Sequence, residues 1–102
     1  MHEDPSAASS QFSDGQLVWA KCGKHPHWPA RISSVIDEQS VEVEFFPDET
    51  AGFAEVHPSQ IASWVGGYEK YSKLKQSDHD FRRALEAATA AWNEESRDLL
   101  LI

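Results

Sequence analysis

The chain has 102 residues and a formal net charge of -8, which bounds it to one small domain with no room for a deep cavity plus a second, substrate-closing lobe. That acidity excludes a surface that clamps nucleic acid over its whole extent, so any DNA contact has to come from a local basic patch. A single cysteine, Cys22, excludes an internal disulfide and fits a reducing compartment, and no apolar stretch approaches the ~20 residues that span a bilayer.

Residues 1–12 are small, polar and acidic without periodicity, the composition of a disordered arm. The turn cluster Ser13-Asp14-Gly15-Gln16 launches a first strand, Leu17 to Lys21. His25-Pro26-His27-Trp28-Pro29 comes next. Each proline fixes its own φ and drives the residue before it into an extended conformation, so a stiff arch holds His25 and Trp28 in set directions before a second strand, Ala30 to Ile36. Beyond the turn Asp37-Glu38-Gln39-Ser40, Val41, Val43 and Phe45 alternate with Glu42 and Glu44, the period-two pattern of a half-buried third strand that only Phe46 breaks. Pro47-Asp48-Glu49-Thr50 predicts a turn, and Thr50 to Val56 a fourth strand interrupted by Gly52. After His57-Pro58-Ser59-Gln60, the run Ile61 to Val65 predicts a fifth strand ended by Gly66-Gly67. Five short strands at close spacing predict a small β-barrel over residues 13–66, and four Trp, five Phe and two Tyr supply the buried area it needs.

Beyond Gly67 the period changes, and residues 67–97 read as helical. A short turn is expected around Tyr68 to Leu74. Phe81, Ala84, Leu85, Ala88, Ala91, Trp92 and Leu99 then recur at helical spacing, with Asp80, Arg82, Arg83, Glu86, Asn93 and Glu94 on the other face. Ser77-Asp78-His79-Asp80 supplies N-cap candidates and acids for the positive end of the helix dipole. Residues 98–102 are too apolar for a free end, so they either pack back on the barrel or lead into a longer protein; the second is the expectation.

The strand Leu17-Val18-Trp19-Ala20-Lys21, the motif Pro26-His27-Trp28-Pro29-Ala30, and Val43-Glu44-Phe45-Phe46 followed by a turn, Phe53-Ala54-Glu55-Val56 and Ile61 occur in the order found in the PWWP domain. The chain resembles that family over about residues 13 to 96; three ordered matches carry the likeness, where the four-residue motif alone would be weak. The resemblance implies a mainly β fold with α, a five-stranded SH3/Tudor-like β-barrel followed by a C-terminal helical element. It also implies a nuclear, noncatalytic chromatin reader, in which an aromatic cage binds methylated histone lysine, here at the histone-three mark of transcribed gene bodies. Weak, salt-sensitive contact with nucleosomal DNA, a larger chromatin complex and a role in transcription go with it.

Carried over by position, the resemblance implies cage walls at His25, Trp28 and Phe45, with Cys22, Asp48 and Glu49 at the peptide-binding rim. An ammonium over an aromatic face gains ~0.5 to 1 kcal/mol when exposed and ~2 or more when desolvated, so several faces sharing one cation select methylated over free lysine. His25 stands where the family has Tyr or Phe, and a protonated imidazole, with a reference pKa of ~6.5, repels a cation. Pro47 stands in place of a glycine. Lys21 and Lys24 beside the arch, with Lys70, Lys73 and Lys75 between barrel and helix, are the DNA-contact candidates.

Each reading has a plainer counterpart. Trp28 is either a cage wall or core; Phe45 shares the parity of Val41 and Val43, so it either fills the core or lines the barrel mouth. Asp48 and Glu49 either complement a ligand's ammonium or are solvated turn carboxylates, and the lysines either face DNA or are ordinary surface charge. Arg82 and Arg83 either join that patch or pair with Glu86. Trp19, Trp64 and Trp92 read as packing residues. His25 and His27 lack a second ligand pair at matching spacing, so no metal is expected. No cofactor and no catalytic residue are expected either, because no phosphate loop, nucleophile elbow or metal-ligand array is present and no base is marked for Cys22. The alternative to the reader is a protein-interaction module with a degenerate cage that docks a nuclear partner.

Overall fold

The structure is a computed structural model that describes the backbone of residues 12–100 and the side chains of residues 12–96. The proposed arm, apart from Phe12, and the last two residues of the proposed tail lie outside the described residues, as does the side chain of Leu99. Five strands, β1 (Leu17–Ala20), β2 (Trp28–Val35), β3 (Val41–Phe45), β4 (Phe53–Val56) and β5 (Ile61–Ser63), form one antiparallel sheet in the order β4-β3-β2-β1-β5. Two helices follow, α1 (Trp64–Tyr71) and α2 (His79–Leu100). The expected five-stranded, barrel-like architecture with a C-terminal helical element is therefore present, but no ladder joins the outer strands β4 and β5, so the sheet is curled rather than closed.

The register explains why β1 is apolar throughout. Val18 and Ala20 pack with Ala30, Ile32, Val41 and Val43 inside the curl, whereas Leu17 and Trp19 point the other way, into a second cluster with Trp64, Phe81 and Ala88 from the helices. A strand covered on both faces has no polar position to alternate with. Phe45 and Phe46 divide in the same way, Phe45 against the inner cluster and Phe46 against the outer one. Phe46 breaks the alternation because it has left β3 and serves the other core. Phe12, assigned to the end of the arm, packs against the inner cluster.

Several expected boundaries move. β2 starts at Trp28, whose Cα partner is Ala20, and Pro29 sits inside the strand opposite Trp19. The missing N–H of Pro29 costs the ladder one donor, while its carbonyl still accepts from Phe46 N at 3.1 Å. Thr50 belongs to a 3-10 turn, Glu49–Ala51, rather than to β4. His57–Gln60 forms a second 3-10 turn with a reciprocal cap: the His57 ring accepts from Ser59 N, and Gln60 Oε1 accepts from His57 N.

The largest correction concerns the end of the barrel. β5 stops at Ser63, and Trp64, Val65, Gly66 and Gly67 are helical, so the helical part begins at residue 64 rather than 67. Ser63 Oγ caps α1 by accepting from Gly66 N at 3.1 Å. A Cβ on Gly67 would stand 2.6 Å from a Tyr71 ring carbon and 3.0 Å from Trp19 Cδ1. The glycines do not end an element: Gly67 lets α1 lie close to Trp19 of β1, and Gly66 leaves room for the Ser63 cap. α2 is capped by Asp78, whose Oδ1 accepts from Phe81 N at 3.0 Å, and it packs across β2 through Phe81, Ala84 and Ala88.

Candidate functional site

The arch, the end of β3 and the start of α2 enclose a cleft of about 510 Å³ lined mainly by apolar side chains. His25, Trp28 and Phe45, the three residues singled out from sequence as cage walls, all border it, and Cys22 lies beside them. His25 is exposed, Trp28 and Phe45 half-buried.

Trp28 is part of the packing and also borders the cleft. Its Nε1 donates to the Phe46 carbonyl at 2.9 Å, and its ring meets Phe81 edge-on, with centroids 5.3 Å apart and planes at 82°. One edge of the indole is tied into the fold while the residue still borders the cleft. Phe45 likewise touches the inner core and reaches the cleft, as a strand-end residue can. The Phe46–Pro47 peptide that follows is cis, and Pro47 is a further part of the wall.

Asp48 and Glu49 lie next to this cleft rather than in its wall; with Thr50 they line a shallow neighbouring hollow. The Asp48 carboxylate caps the 3-10 turn, accepting from both the hydroxyl and the N–H of Thr50, the latter at 3.0 Å. Those bonds, with a smaller contribution from the Arg83 charge, hold its pKa below the ordinary aspartate value. Thr50 itself borders both hollows.

Asp80 and Arg83 of α2 also line the cleft, although helical periodicity places them off the packed face. Their spacing of three places them on one flank of the helix, next to the Phe81 and Ala84 stripe. That spacing was visible in the sequence; where the flank would lie required the docking of α2. Phe53, exposed at the start of β4, completes the opposite lip.

A second centre lies on the other side of the arch. The His27 ring stacks on Tyr71, with centroids 4.0 Å apart and planes at 14°, and Lys70 Nζ is 5.3 Å from the Tyr71 centroid. Burial lowers the His27 pKa from its ordinary value, and the charges of Lys21 and then Lys70 lower it further. Lys21 and Lys70, far apart in sequence, therefore share one locality. Lys24, Lys73 and Lys75 are exposed. Among the described residues no group of three His, Cys, Asp or Glu could hold a metal ion, and no helix is long and apolar enough to cross a membrane.

The model of the PWWP domain family matches residues 15–93. The chain belongs to the PWWP domain family. PWWP domains are binding modules of chromatin-associated proteins that take histone tails and DNA, and the family's five-stranded sheet with C-terminal helices is the architecture described above. No curated protein matches the chain.

Proposed function

We propose that this PWWP domain reads a methylated lysine on a histone tail, with His25, Trp28 and Phe45 as the walls that meet the methylammonium and Cys22 at the rim. The reading is supported above all by one observation: residues 20 positions apart in sequence, on the arch and at the end of β3, border the same mainly apolar cleft. A methylated ammonium carries its charge on a larger, less hydrated surface than lysine does, so aromatic walls favour it where a free ammonium would lose its water. Asp48 and Glu49 beside the cleft add negative potential along the path of a basic peptide. The tail of histone three, at the mark of transcribed gene bodies, is the proposed target.

Lys21 and Lys70, with Lys24, Lys73 and Lys75 in support, are proposed to meet nucleosomal DNA. A few cations within a Debye length of ~8 Å act locally even where the whole chain is acidic. The contact is then weak and salt-sensitive, and nuclear residence and membership of a larger chromatin complex belong to the same proposal.

A titration of unmodified, mono-, di- and trimethylated tail peptides, followed by chemical-shift perturbation, tests the reading. Binding is expected to strengthen with methylation and to weaken in His25→Ala, a variant of an exposed side chain. Equal responses to methylated and unmodified peptides would replace the reader by an interaction module with a degenerate cage.

A further inference from the structure

β4 is an outer strand of the sheet, with β3 as its only strand partner among the described residues. The phase of that ladder decides which of its main-chain groups are in use. Phe45 N donates to the Gly52 carbonyl at 3.0 Å, and the register continues with Val43 opposite Ala54 and Val41 opposite Val56. Opposed residues in an antiparallel pair alternate between those that exchange hydrogen bonds and those that do not. Ala54 and Val56 therefore turn their N–H and C=O groups toward β3, whereas Phe53 and Glu55 turn theirs to the open edge. Among the described residues, no backbone hydrogen bond from outside the sheet reaches Phe53 or Glu55. The strand also carries neither a proline nor a register shift, two of the devices that blunt an edge.

The side chains of the same two residues are exposed. Phe53 is 56% exposed and forms a lip of the cleft. Glu55 lies directly opposite Glu42, and Glu44 directly opposite Phe53. These are the close, non-hydrogen-bonded positions, where like charges repel. Ser33 Oγ donates to Glu42 at 2.6 Å, and Arg31, the cross-strand neighbour of Glu44, is engaged by Glu95 at 2.9 Å. An unpaired strand edge thus runs beside three carboxylates. A second copy of this chain would set acid against acid there, so the edge suits a cationic occupant.

We infer that β4 pairs with an extended, lysine- or arginine-rich peptide, whose backbone joins Phe53 and Glu55 as an added strand while its basic side chains neutralise Glu42, Glu44 and Glu55. Main-chain bonds supply affinity in strand addition, and alternate side chains supply selectivity. Because Phe53 belongs to both the cleft and the edge, a tail whose methylated lysine occupies the cleft leaves it along β4; in this the inference rests on the methyl-lysine reading.

The test is a backbone N-methyl scan of a trimethyl-lysine tail peptide titrated into the whole chain, with Trp28 indole and Phe53 and Glu55 amide signals recorded together. N-methylation of the peptide blocks one donor at a time without touching the protein, so binding is expected to fall about tenfold at alternate positions only, the loss of one hydrogen bond. Glu55→Gln is expected to weaken the peptide about threefold, and Glu55→Pro about tenfold, since its N–H faces the edge and the β3 ladder does not use it. A scan without period two, or exchange rates at Phe53 and Glu55 that peptide leaves unchanged, overturns the edge inference, while a persisting Trp28 response keeps the cage. Period two with a silent Trp28 indole instead removes the cage reading and keeps the edge. If neither signal moves, both fall.

Discussion

The indole N–H of Trp28 and the carbonyl of Phe46 are joined at 2.9 Å, which ties the first residue of β2 to the residue just past β3. The same ring packs edge-on against Phe81, so the wall of the cleft is anchored to both the sheet and α2. A ring held on one side by the fold presents a fixed face to the cleft on the other. Truncation then has two effects. Trp28→Ala is expected to cost about 2 kcal/mol of stability, below the full-burial range because the residue is half-exposed, and to remove peptide binding. Trp28→Phe keeps a ring and loses the hydrogen bond, at about 1 kcal/mol. Urea unfolding of both variants separates these contributions; an unchanged midpoint for Trp28→Ala would show that the indole does not hold the fold.

Gly67 gives the second prediction. Alanine is the better helix former by ~1 kcal/mol, so on propensity alone Gly67→Ala should stabilise α1. The added methyl, however, meets Tyr71 at 2.6 Å and Trp19 at 3.0 Å, and Tyr71 is held by its stack on His27. Overpacking of this kind costs ~1 to 3 kcal/mol, enough to reverse the sign. Thermal unfolding is expected to show net destabilisation, with the His27 ring signals shifted. Val65→Ala, at an exposed site in the same helix, should be nearly neutral.

These two positions also show what the sequence could convey. Period two in β3 and period 3.6 in α2 came from burial on one face, and both were legible because each element has one dry side and one wet side. Gly66-Gly67 misled because a glycine that breaks a chain and a glycine that lets two elements touch look alike until the neighbour is known. Trp64 and Val65 read as strand for a related reason: β-branched and aromatic residues have strand propensity, and the Ser63 cap together with the stacking of Trp64 on Trp19 at 4.6 Å outweighs it. Within the candidate site, the arch residues could be singled out by their prolines and Phe45 by resemblance, since its strand parity also fits the core. Asp80 and Arg83 could not, since they reach the cleft only through the docking of α2.

Arg31 links β2 to α2 through a 2.9 Å contact with Glu95, and it also donates to the Gly15 carbonyl at 2.8 Å and lies 5.8 Å from the Phe46 ring centroid. Both partners of the ion pair are partly exposed, so its net worth is screened to ~0 to 1 kcal/mol. Glu95→Gln should therefore shift the urea midpoint only slightly, and by less at high salt. Arg31→Ala, which also removes the bond to Gly15 and the cover over Phe46, should cost more than Glu95→Gln, and the excess should persist in salt. Equal costs for the two variants would confine the role of Arg31 to the ion pair.

His27 connects pH to stability and, through its lysine neighbours, to the proposed DNA contact. It is half-buried on Tyr71 within reach of the Lys21 and Lys70 charges, and its folded-state pKa lies below the ordinary value of 6.5 because burial and then those two charges oppose the imidazolium. The unfolded chain therefore binds more protons between the two pKa values, and stability rises with pH across that window. The contribution is fully present above the unfolded pKa of ~6.5 and is lost as pH falls through the folded one. His27→Phe preserves a ring on Tyr71 without a titrating group. Wild-type stability minus that of the variant should be flat above neutrality and should fall in acid, as read from urea midpoints. Phosphates bound at Lys21 and Lys70 would offset the charges that disfavour the imidazolium, so duplex DNA should raise the His27 pKa, and binding should tighten as pH falls. NMR titration of the His27 ring with and without DNA measures this directly, and an identical midpoint in the two titrations would remove Lys21 and Lys70 from the DNA-facing surface.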